Sequence, residues 1–464
     1  MESLKNIKNV YFLGIGGIGM SAIARYFRFT GMNVAGYDVT RTDLTNALQS
    51  EGIDIHYEDD IRFIPSNWNP AETMAVFTPA LPDDHNELSW FREKPIALLK
   101  RAKVLGLICN EKSCIAVAGT HGKTTVSTMA ATIMDNTGPG CGAFLGGISK
   151  NFDSNLLLPK TESPWIVAEA DEFDRSFLHL QPQIALVTAL DADHLDVYGD
   201  REKMIEAFGK FISQIKQGGK LLVKKGIALD TEKTDAGVYY YSLKDQADFY
   251  AVNLRRISDP PYYLFDLHTP GEVIPDCRLY YPGLLNVENA VAAAGVAFLA
   301  GASPTDIKAG LEEYRGVIRR FDVRFHNEDF VYIDDYAHHP EELRAVITSV
   351  KELYPGKKVT GIFQPHLYSR TRDFAAEFAA SLNLLDEVIL IPIYPAREEP
   401  IPGISSEIIF DKITQPDKFL LPKEDAAKLL AERPAGVVLT LGAGDIDGIA
   451  GQIIEVLRNK KDAT

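Results

Sequence analysis

Three times along this sequence a short apolar run ends in a turn rich in glycine or acid and passes directly into a stretch patterned as a helix. The runs are "VYFLGIGGIGMSAIA" (Val10 to Ala24), "CIAVAGTHGKTTVSTMAATIM" (Cys114 to Met134) and "DFVYIDDYAHHPEELRAVITSV" (Asp329 to Val350). A strand that returns through a helix must enter the same end of its sheet, so such units build mostly parallel α/β layers. At 464 residues the chain exceeds one ordinary core. The expected fold class is therefore α/β, with three consecutive α/β domains.

Around each unit the alternation continues. The first segment predicts strands over 9–13 and 33–37, a helix over 19–30, and further strands at "MAVFTP" (Met74 to Pro79) and "KVLGLI" (Lys103 to Ile108). The second adds the strands "WIVAEA" and "IALVTAL", a helix over 201–215, period-2 stretches at "ADFYAVNL", "PYYLFDLH" and "DCRLYYPG", and a buried helix over 286–301. The third adds the strands "KVTGIF", "EVILIPI" and "GVVLTLG", a helix from Thr371 and another over 446–457.

The first turn admits three readings: a dinucleotide site, another phosphate site, or the apolar centre of an export signal. Lys5 and Lys8 before the apolar run and Ala22-Ile23-Ala24 after it imitate a signal peptide. Four glycines, Gly14, Gly16, Gly17 and Gly19, argue against it, each disfavouring a helix by about 1 kcal/mol relative to Ala. No other run reaches the eighteen apolar residues of a membrane span. With 48 Lys+Arg against 64 Asp+Glu, the net charge of −16 repels nucleic acid and anionic membranes, so neither is an expected partner. Cys109, Cys114, Cys141 and Cys277 show neither a metal-ligand spacing nor the density of a disulfide framework.

"AGTHGKTT" carries the strongest chemistry. After a strand and at the start of a helix, backbone N–H groups hold phosphates, Lys123 neutralises them and the Thr124 hydroxyl binds Mg²⁺. The usual loop has glycine five positions before Gly122; here that position is Val117. "EADEFDRSF" and "LDADHLDVYG" follow consecutive apolar strands, which puts Glu169, Asp171, Glu172, Asp191, Asp193 and His194 at the ligand edge as candidates to meet the metal. In the third segment "DDYAHHP" and "FQPHLYSRTRD" bring His338, His339, His366, Arg370 and Arg372 to one sheet edge, where arginine can grip a carboxylate and histidine can relay a proton.

In order along the chain, "GIGGIGMSAIA", "AGTHGKTT", "EADEFDRSFLHLQP", "DADHLDVYGD", "GVIRRFD", "DDYAHHPEEL", "FQPHLYSRTRDF" and "LGAGDI" resemble the Mur ligase superfamily, and within it the class that attaches L-alanine to UDP-N-acetylmuramate. The resemblance implies a Rossmann-like N-terminal domain over 1–109 for the UDP-sugar, a P-loop ATPase-like central domain over 110–320, and a Rossmann-like C-terminal domain over 321–464 for the amino acid. It implies an ATP-dependent amide ligase acting through an acyl phosphate, with ATP and Mg²⁺ as cofactors and Mn²⁺ as an alternative ion. The implied partners are UDP-N-acetylmuramate, L-alanine and ATP, in a cytoplasmic monomer or homodimer.

By the same resemblance Gly119, Thr120, His121, Gly122, Lys123, Thr124, Thr125, Asn286, Asn289 and Arg320 bind ATP, the two asparagines at adenine. Thr124, Glu169 and His194 hold metal, and Lys123, His194 and His338 are the catalytic set. Tyr336, His338 and Arg370 take the amino acid, Arg370 through its α-carboxylate. Gly14, Gly16, Gly17, Gly19 and Asp38 take the UDP-sugar.

Two positions depart from the pattern. Leu367 stands where many relatives have arginine, which removes one cation from the amino-acid loop. Phe208 stands where other amide ligases of the superfamily carry a carbamylated lysine, so no carbamate should bridge the metals. Two rivals from other classes are an NAD-dependent oxidoreductase, since Gly14, Gly16 and Gly19 fit G-x-G-x-x-G with Asp38 roughly twenty residues on, and a nucleotide-dependent switch without chemistry. The first leaves "AGTHGKTT" unexplained, and the second explains little else. Within the superfamily the rival is the recycling ligase that adds a whole tripeptide to the same UDP-sugar.

Overall fold

A computed structural model describes residues 4–191, 198, 200–258, 261–396, 398–433 and 436–461. The chain packs into two compact units, Met1–Tyr280 with Val287–Arg315, and Tyr281–Asn286 with Gly316–Thr464. The first unit holds two sheets and the second one, so the α/β class and its three α/β segments in series are as the alternation predicts.

The first sheet is five parallel strands in the order Asp54–His56, Asn33–Tyr37, Asn9–Leu13, Thr73–Phe77, Ala97–Lys100. Its central strand, Asn9–Leu13, is buried at every position, and the helix Ile18–Phe29 covers it with Met20, Ala22, Ile23, Ala24 and Phe27. "KVLGLI" is not a strand: it lies within the helix Arg101–Asn110, and the edge strand is Ala97–Lys100, paired with Thr73–Phe77. Val104, Leu105, Ile108 and Cys109 are buried there at helical spacing, and a six-residue apolar run fits strand or helix equally well until its neighbours decide.

The second sheet has ten strands among the described residues, in the order Glu272–Leu279, Pro261–Thr269, Phe249–Ser258, Gly237–Ser242, Lys220–Lys224, Ile184–Val187, Ser113–Ala118, Trp165–Glu169, Gly142–Ser149, Ser154–Leu157. Its centre is parallel and its first three strands, on which the period-2 stretches fall, are antiparallel. Ser113–Ala118 thus lies between Ile184–Val187 and Trp165–Glu169, with Val187 beside Ala118 and Glu169 beside Val117. That order brings the loop after Ser113–Ala118, the start of "EADEFDRSF" after Trp165–Glu169, and Asp191 to one edge. Gly310 of the helix Pro304–Glu313 lets that helix close on Lys123–Asp135, since a Cβ there would stand 2.4 Å from Ile133 Cα.

The second unit's sheet runs Asp322–His326, Val331–Asp335, Val437–Leu441, Val359–Phe363, Glu387–Leu390, Lys418–Leu420, parallel except for its first strand. Val331–Asp335 and Val359–Phe363 flank the same central strand, so the loops after both open at one edge. All four cysteines are buried and free of disulfides. Among the described residues no helix is long and apolar enough to cross a membrane.

Candidate functional site

The loop between Ser113–Ala118 and the helix Lys123–Asp135 needs glycine at two places. Gly119 has φ +132°, and a Cβ there would stand 2.2 Å from Thr188 Oγ1; Gly122, the N-cap, has φ +82° and faces Asn289 Oδ1 at 3.2 Å. The strand end after Ile184–Val187 braces the loop: Thr120 N–H donates to the Ala189 carbonyl at 3.1 Å, the Thr188 hydroxyl to the His121 carbonyl, and Asp191 N–H to Thr120 Oγ1 at 3.1 Å. His121 Nε2 lies 3.7 Å from Asp191 Oδ2, and Thr124 and Thr125 are buried in the first helical turn. Gly119→Ala should therefore destabilise the unit by about 1–3 kcal/mol through overpacking and abolish nucleotide protection in a thermal-shift assay. Retention of that protection would count against the loop as the nucleotide site.

Lys123 Nζ donates to the Gly119 carbonyl and to Glu172 Oε1, both at 2.8 Å, and the Glu172 side chain is fully buried. Burial pushes the ammonium down, but Glu172, Asp171 and Glu169 outweigh it and raise the pKa, so Lys123 stays charged. Glu172 therefore faces the loop lysine. Glu169 ends Trp165–Glu169 opposite Gly146, where a Cβ would stand 2.2 Å from its Oε2. Among the described residues no three His, Cys, Asp or Glu side chains gather as a metal cluster. The donors on offer, the Thr124 hydroxyl and the Glu169 carboxylate, are oxygen ligands, which suits an ion that keeps waters and binds through phosphates. His194 and Asp193 lie outside the described residues.

The first glycine turn sits across a cleft from Glu169. Gly14 (φ +85°) faces Thr78 and admits no side chain, and its N–H donates to the Tyr37 carbonyl at 2.8 Å. Asp38 Oδ2 accepts from Gly16 N–H at 2.7 Å and Oδ1 from Thr40 N–H at 3.1 Å, so this acid is built into the turn. A cavity of about 290 Å³ joins Gly17, Gly19 and Thr78 to Gly146, Glu169 and Asp171, with Arg101 in its wall. Arg101 Nη1 would stand 2.8 Å from a Cβ at Gly19, and its Nη2 is 4.0 Å from Asp171 Oδ2. Sequence reading passed over Arg101 because it placed the neighbouring run in a strand; helical spacing would have turned this residue to the first helix.

In the second unit Tyr336 lies between two guanidiniums, with Arg319 Cζ at 5.2 Å and Arg320 Cζ at 5.0 Å from its ring centroid. Arg319, at φ +61°, bonds the Gly442 and Gly444 carbonyls at 2.6 and 3.0 Å, while Asp335 accepts from Phe321 and Ala337 N–H at 2.6 and 2.7 Å. His338 Nδ1 is 2.9 Å from the Tyr336 carbonyl, an acceptor, which places the proton on Nδ1 and leaves Nε2 as the acceptor. Burial pushes His338 down to about 4, Glu342 opposing and Arg370 and Arg320 adding to the shift. His338 is thus uncharged at neutral pH. From pH 6 to 8 the alanine KM of His338→Asn should run parallel to that of the parent, and an inflection near 6.5 in the parent alone would contradict this.

His338 and His366 meet edge to face at 6.0 Å, and His366 stacks on Tyr394 at 5.9 Å. His339 does structural work instead: it is buried against Phe374 at 5.1 Å and begins the helix Pro340–Leu353. Arg372 pairs with Asp373 at 2.7 Å, exposed. Asn289 sits in the first unit beside Gly122, whereas Asn286 belongs to the second unit and donates to the Pro282 carbonyl. Phe208 is fully buried, 5.0 Å from Phe177, so apolar packing fills the position of the carbamate lysine. Turnover should accordingly be insensitive to removal of bicarbonate and CO₂, and a bicarbonate requirement would refute this.

Comparison with known proteins places these features in a lineage. The Mur ligase family catalytic domain matches residues 9–113, the Mur ligase middle domain 117–297, and the Mur ligase glutamate ligase domain 319–444. The UDP-N-acetylmuramate–L-alanine ligase of Parabacteroides distasonis is 52% identical over 457 residues, covering 98% of each chain. The ligase of the same name from Porphyromonas gingivalis strain W83 is 47% identical over 97% of this chain and 99% of its own. A crystal structure of the UDP-N-acetylmuramate-alanine ligase MurC from Thermotoga maritima matches with a TM-score of 0.81 and 27% identity, covering 97% of this chain and 99% of that one. With family models matched in order along its three α/β segments and named relatives similar from end to end, this chain belongs to the Mur ligase family.

Proposed function

We propose that this chain joins L-alanine to the lactyl carboxylate of UDP-N-acetylmuramate at the expense of ATP, in cytoplasmic peptidoglycan precursor synthesis. The observation that carries the reading is the 52% identity, along 98% of each chain, to a ligase named for that reaction. The geometry supports it with a cleft running from the first glycine turn to Glu169, beside a lysine-bearing phosphate loop.

A carboxylate does not acylate an amine, because oxide is a poor leaving group. The lactyl carboxylate oxygen attacks the γ-phosphorus, ADP leaves, and the acyl phosphate formed presents phosphate as its leaving group. The alanine amine then attacks the acyl carbon, phosphate departs, and the nitrogen gives up its extra proton. Lys123, held charged, offsets the repulsion between the carboxylate and the γ-phosphoryl group. Gly119, Thr120, His121, Gly122, Thr124 and Thr125 cradle the phosphates, with Asn286, Asn289 and Arg320 as the further ATP contacts. Mg²⁺ held by Thr124, Glu169 and His194 would supply further charge neutralisation.

Segment 1–109 holds the UDP-sugar through Gly14, Gly16, Gly17 and Gly19. Asp38 stiffens that turn through Gly16 and remains the candidate contact to uridine. Segment 110–320 carries the nucleotide site and segment 321–464 the amino-acid site. There Arg370 holds the α-carboxylate beside Tyr336, and the Nε2 lone pair of His338 accepts a hydrogen bond from the amine without repelling it. The experiment that tests the reading is phosphate release from UDP-N-acetylmuramate and ATP with L-alanine, glycine, L-serine or the tripeptide. L-Alanine should support the fastest turnover; turnover with the tripeptide alone would leave the class standing and overturn the substrate.

A further inference from the structure

The loop bearing Arg370 carries an unusual backbone. Leu367, just before the helix Tyr368–Asp373, has φ +68° and ψ 138°, a left-handed conformation that a leucine holds only when its surroundings impose it. A neighbouring segment does the imposing. Tyr394 N–H donates to the Pro365 carbonyl at 2.9 Å, Leu367 N–H donates to the Tyr394 carbonyl at 3.0 Å, and the Tyr394 ring stacks on His366. Four residues on, Glu398 grips Ser369 twice: Oε2 accepts from Ser369 N–H at 3.0 Å, and Oε1 accepts from the Ser369 hydroxyl. From within, the Leu367 carbonyl accepts from Thr371 N–H at 3.1 Å and from its hydroxyl at 2.8 Å. The kink is thus pinned on both sides, with Arg370 one residue past the clamp.

We propose that Glu398 is a positioning residue for amino-acid recognition: by clamping Ser369 it holds Leu367 in its left-handed conformation and so sets the direction in which Arg370 leaves the helix. This rests on the reading of Arg370 as the group that holds the alanine carboxylate. A carboxylate suits the task because its two oxygens take the two Ser369 donors at once, whereas an amide offers one oxygen and loses one bond. Burial pushes the Glu398 carboxyl up, but the bonds from Ser369, from Tyr368 N–H and the field of His366 outweigh it and hold it below its ordinary value, so the clamp stays ionised at neutral pH.

Glycine adopts a positive φ about as readily as a negative one, and this gives the proposal a test that mere support of the fold would not pass. Steady-state kinetics are measured on the full chain for Glu398→Ala, Glu398→Gln, Leu367→Gly, Arg370→Ala and the double variant Leu367→Gly/Glu398→Ala. In Glu398→Ala the alanine KM should rise about tenfold, with the KM values for ATP and UDP-N-acetylmuramate within about twofold of the parent, consistent with releasing one strained residue. Glu398→Gln should fall between. Leu367→Gly in the Glu398→Ala background should return the alanine KM to within about threefold of the parent, because glycine takes the kinked φ without strain and the bonds to Tyr394 and Thr371 then suffice to hold it.

An alanine KM raised in Arg370→Ala but unchanged in Glu398→Ala overturns the clamp while sparing the reading of Arg370. An unchanged alanine KM in Arg370→Ala overturns that reading and the clamp's part in recognition together. A loss in Glu398→Ala that Leu367→Gly does not reverse, or that falls equally on all three substrates, assigns Glu398 to general support of the fold and overturns the proposal.

Discussion

Lys123→Ala should lower turnover by about 10³-fold or more while UDP-N-acetylmuramate still raises the melting temperature of the protein. Phosphoryl transfer to a carboxylate brings two anions together, and little but fixed positive charge and positioning lowers that barrier. Lys123 is anchored at the start of its helix and stays charged, whereas the first glycine turn belongs to a different sheet and keeps its geometry without it. Removing the lysine also breaks its buried ion pair with Glu172, at about 3–5 kcal/mol. Lys123→Ala/Glu172→Gln should therefore recover stability in a thermal melt without recovering activity. Loss of UDP-sugar protection in both variants would contradict the division of labour between the two sheets.

Arg370→Ala should raise the alanine KM by about 30- to 100-fold, the worth of roughly 2–3 kcal/mol for a charge-assisted grip on a carboxylate. The effect should fall on KM more than on kcat at saturating alanine, because the carboxylate is not a reacting group and its grip is made in ground and transition states alike. The discriminating measurement is alaninamide, which keeps the amine and lacks the charge. The parent should use it about as poorly as the variant uses alanine, and a variant that still prefers alanine strongly over alaninamide would move the carboxylate grip to another residue.

The strand-turn-helix alternation reads well from sequence because it needs only local information: apolar runs of strand length, glycine where φ turns positive, and helical spacing afterwards. The strand Asn9–Leu13 and the loop at Gly119 and Gly122 are found where the letters put them. "KVLGLI" went astray because six apolar residues carry too little periodicity to choose between strand and helix, and with it Arg101 was overlooked. Glu172 could not be told from Glu169 by spacing, since both lie at the end of the same strand; only the fold turns one toward Lys123 and the other toward the cleft. Glu398, 31 residues from Leu367 along the chain, carries no local motif. Its link to the loop bearing Arg370 exists only because the strand Glu387–Leu390 pairs with Val359–Phe363 and brings the two following loops side by side.

The ion pair between Lys123 and Glu172 has a further consequence for the catalytic cycle. On the proposed assignment of this loop to ATP, an incoming nucleotide would meet a lysine that already holds an anion, so its binding would exchange one negative partner for another. Glu172 would then act as a resident competitor of the terminal phosphoryl group for Lys123. Once that group had moved to the sugar's carboxylate and left with the amide step, ADP would have less to offer the lysine, and the carboxylate would reclaim it. A weaker hold on the substrate is in this way matched by an easier exit for the product, which favours repeated turnover over tight storage of nucleotide.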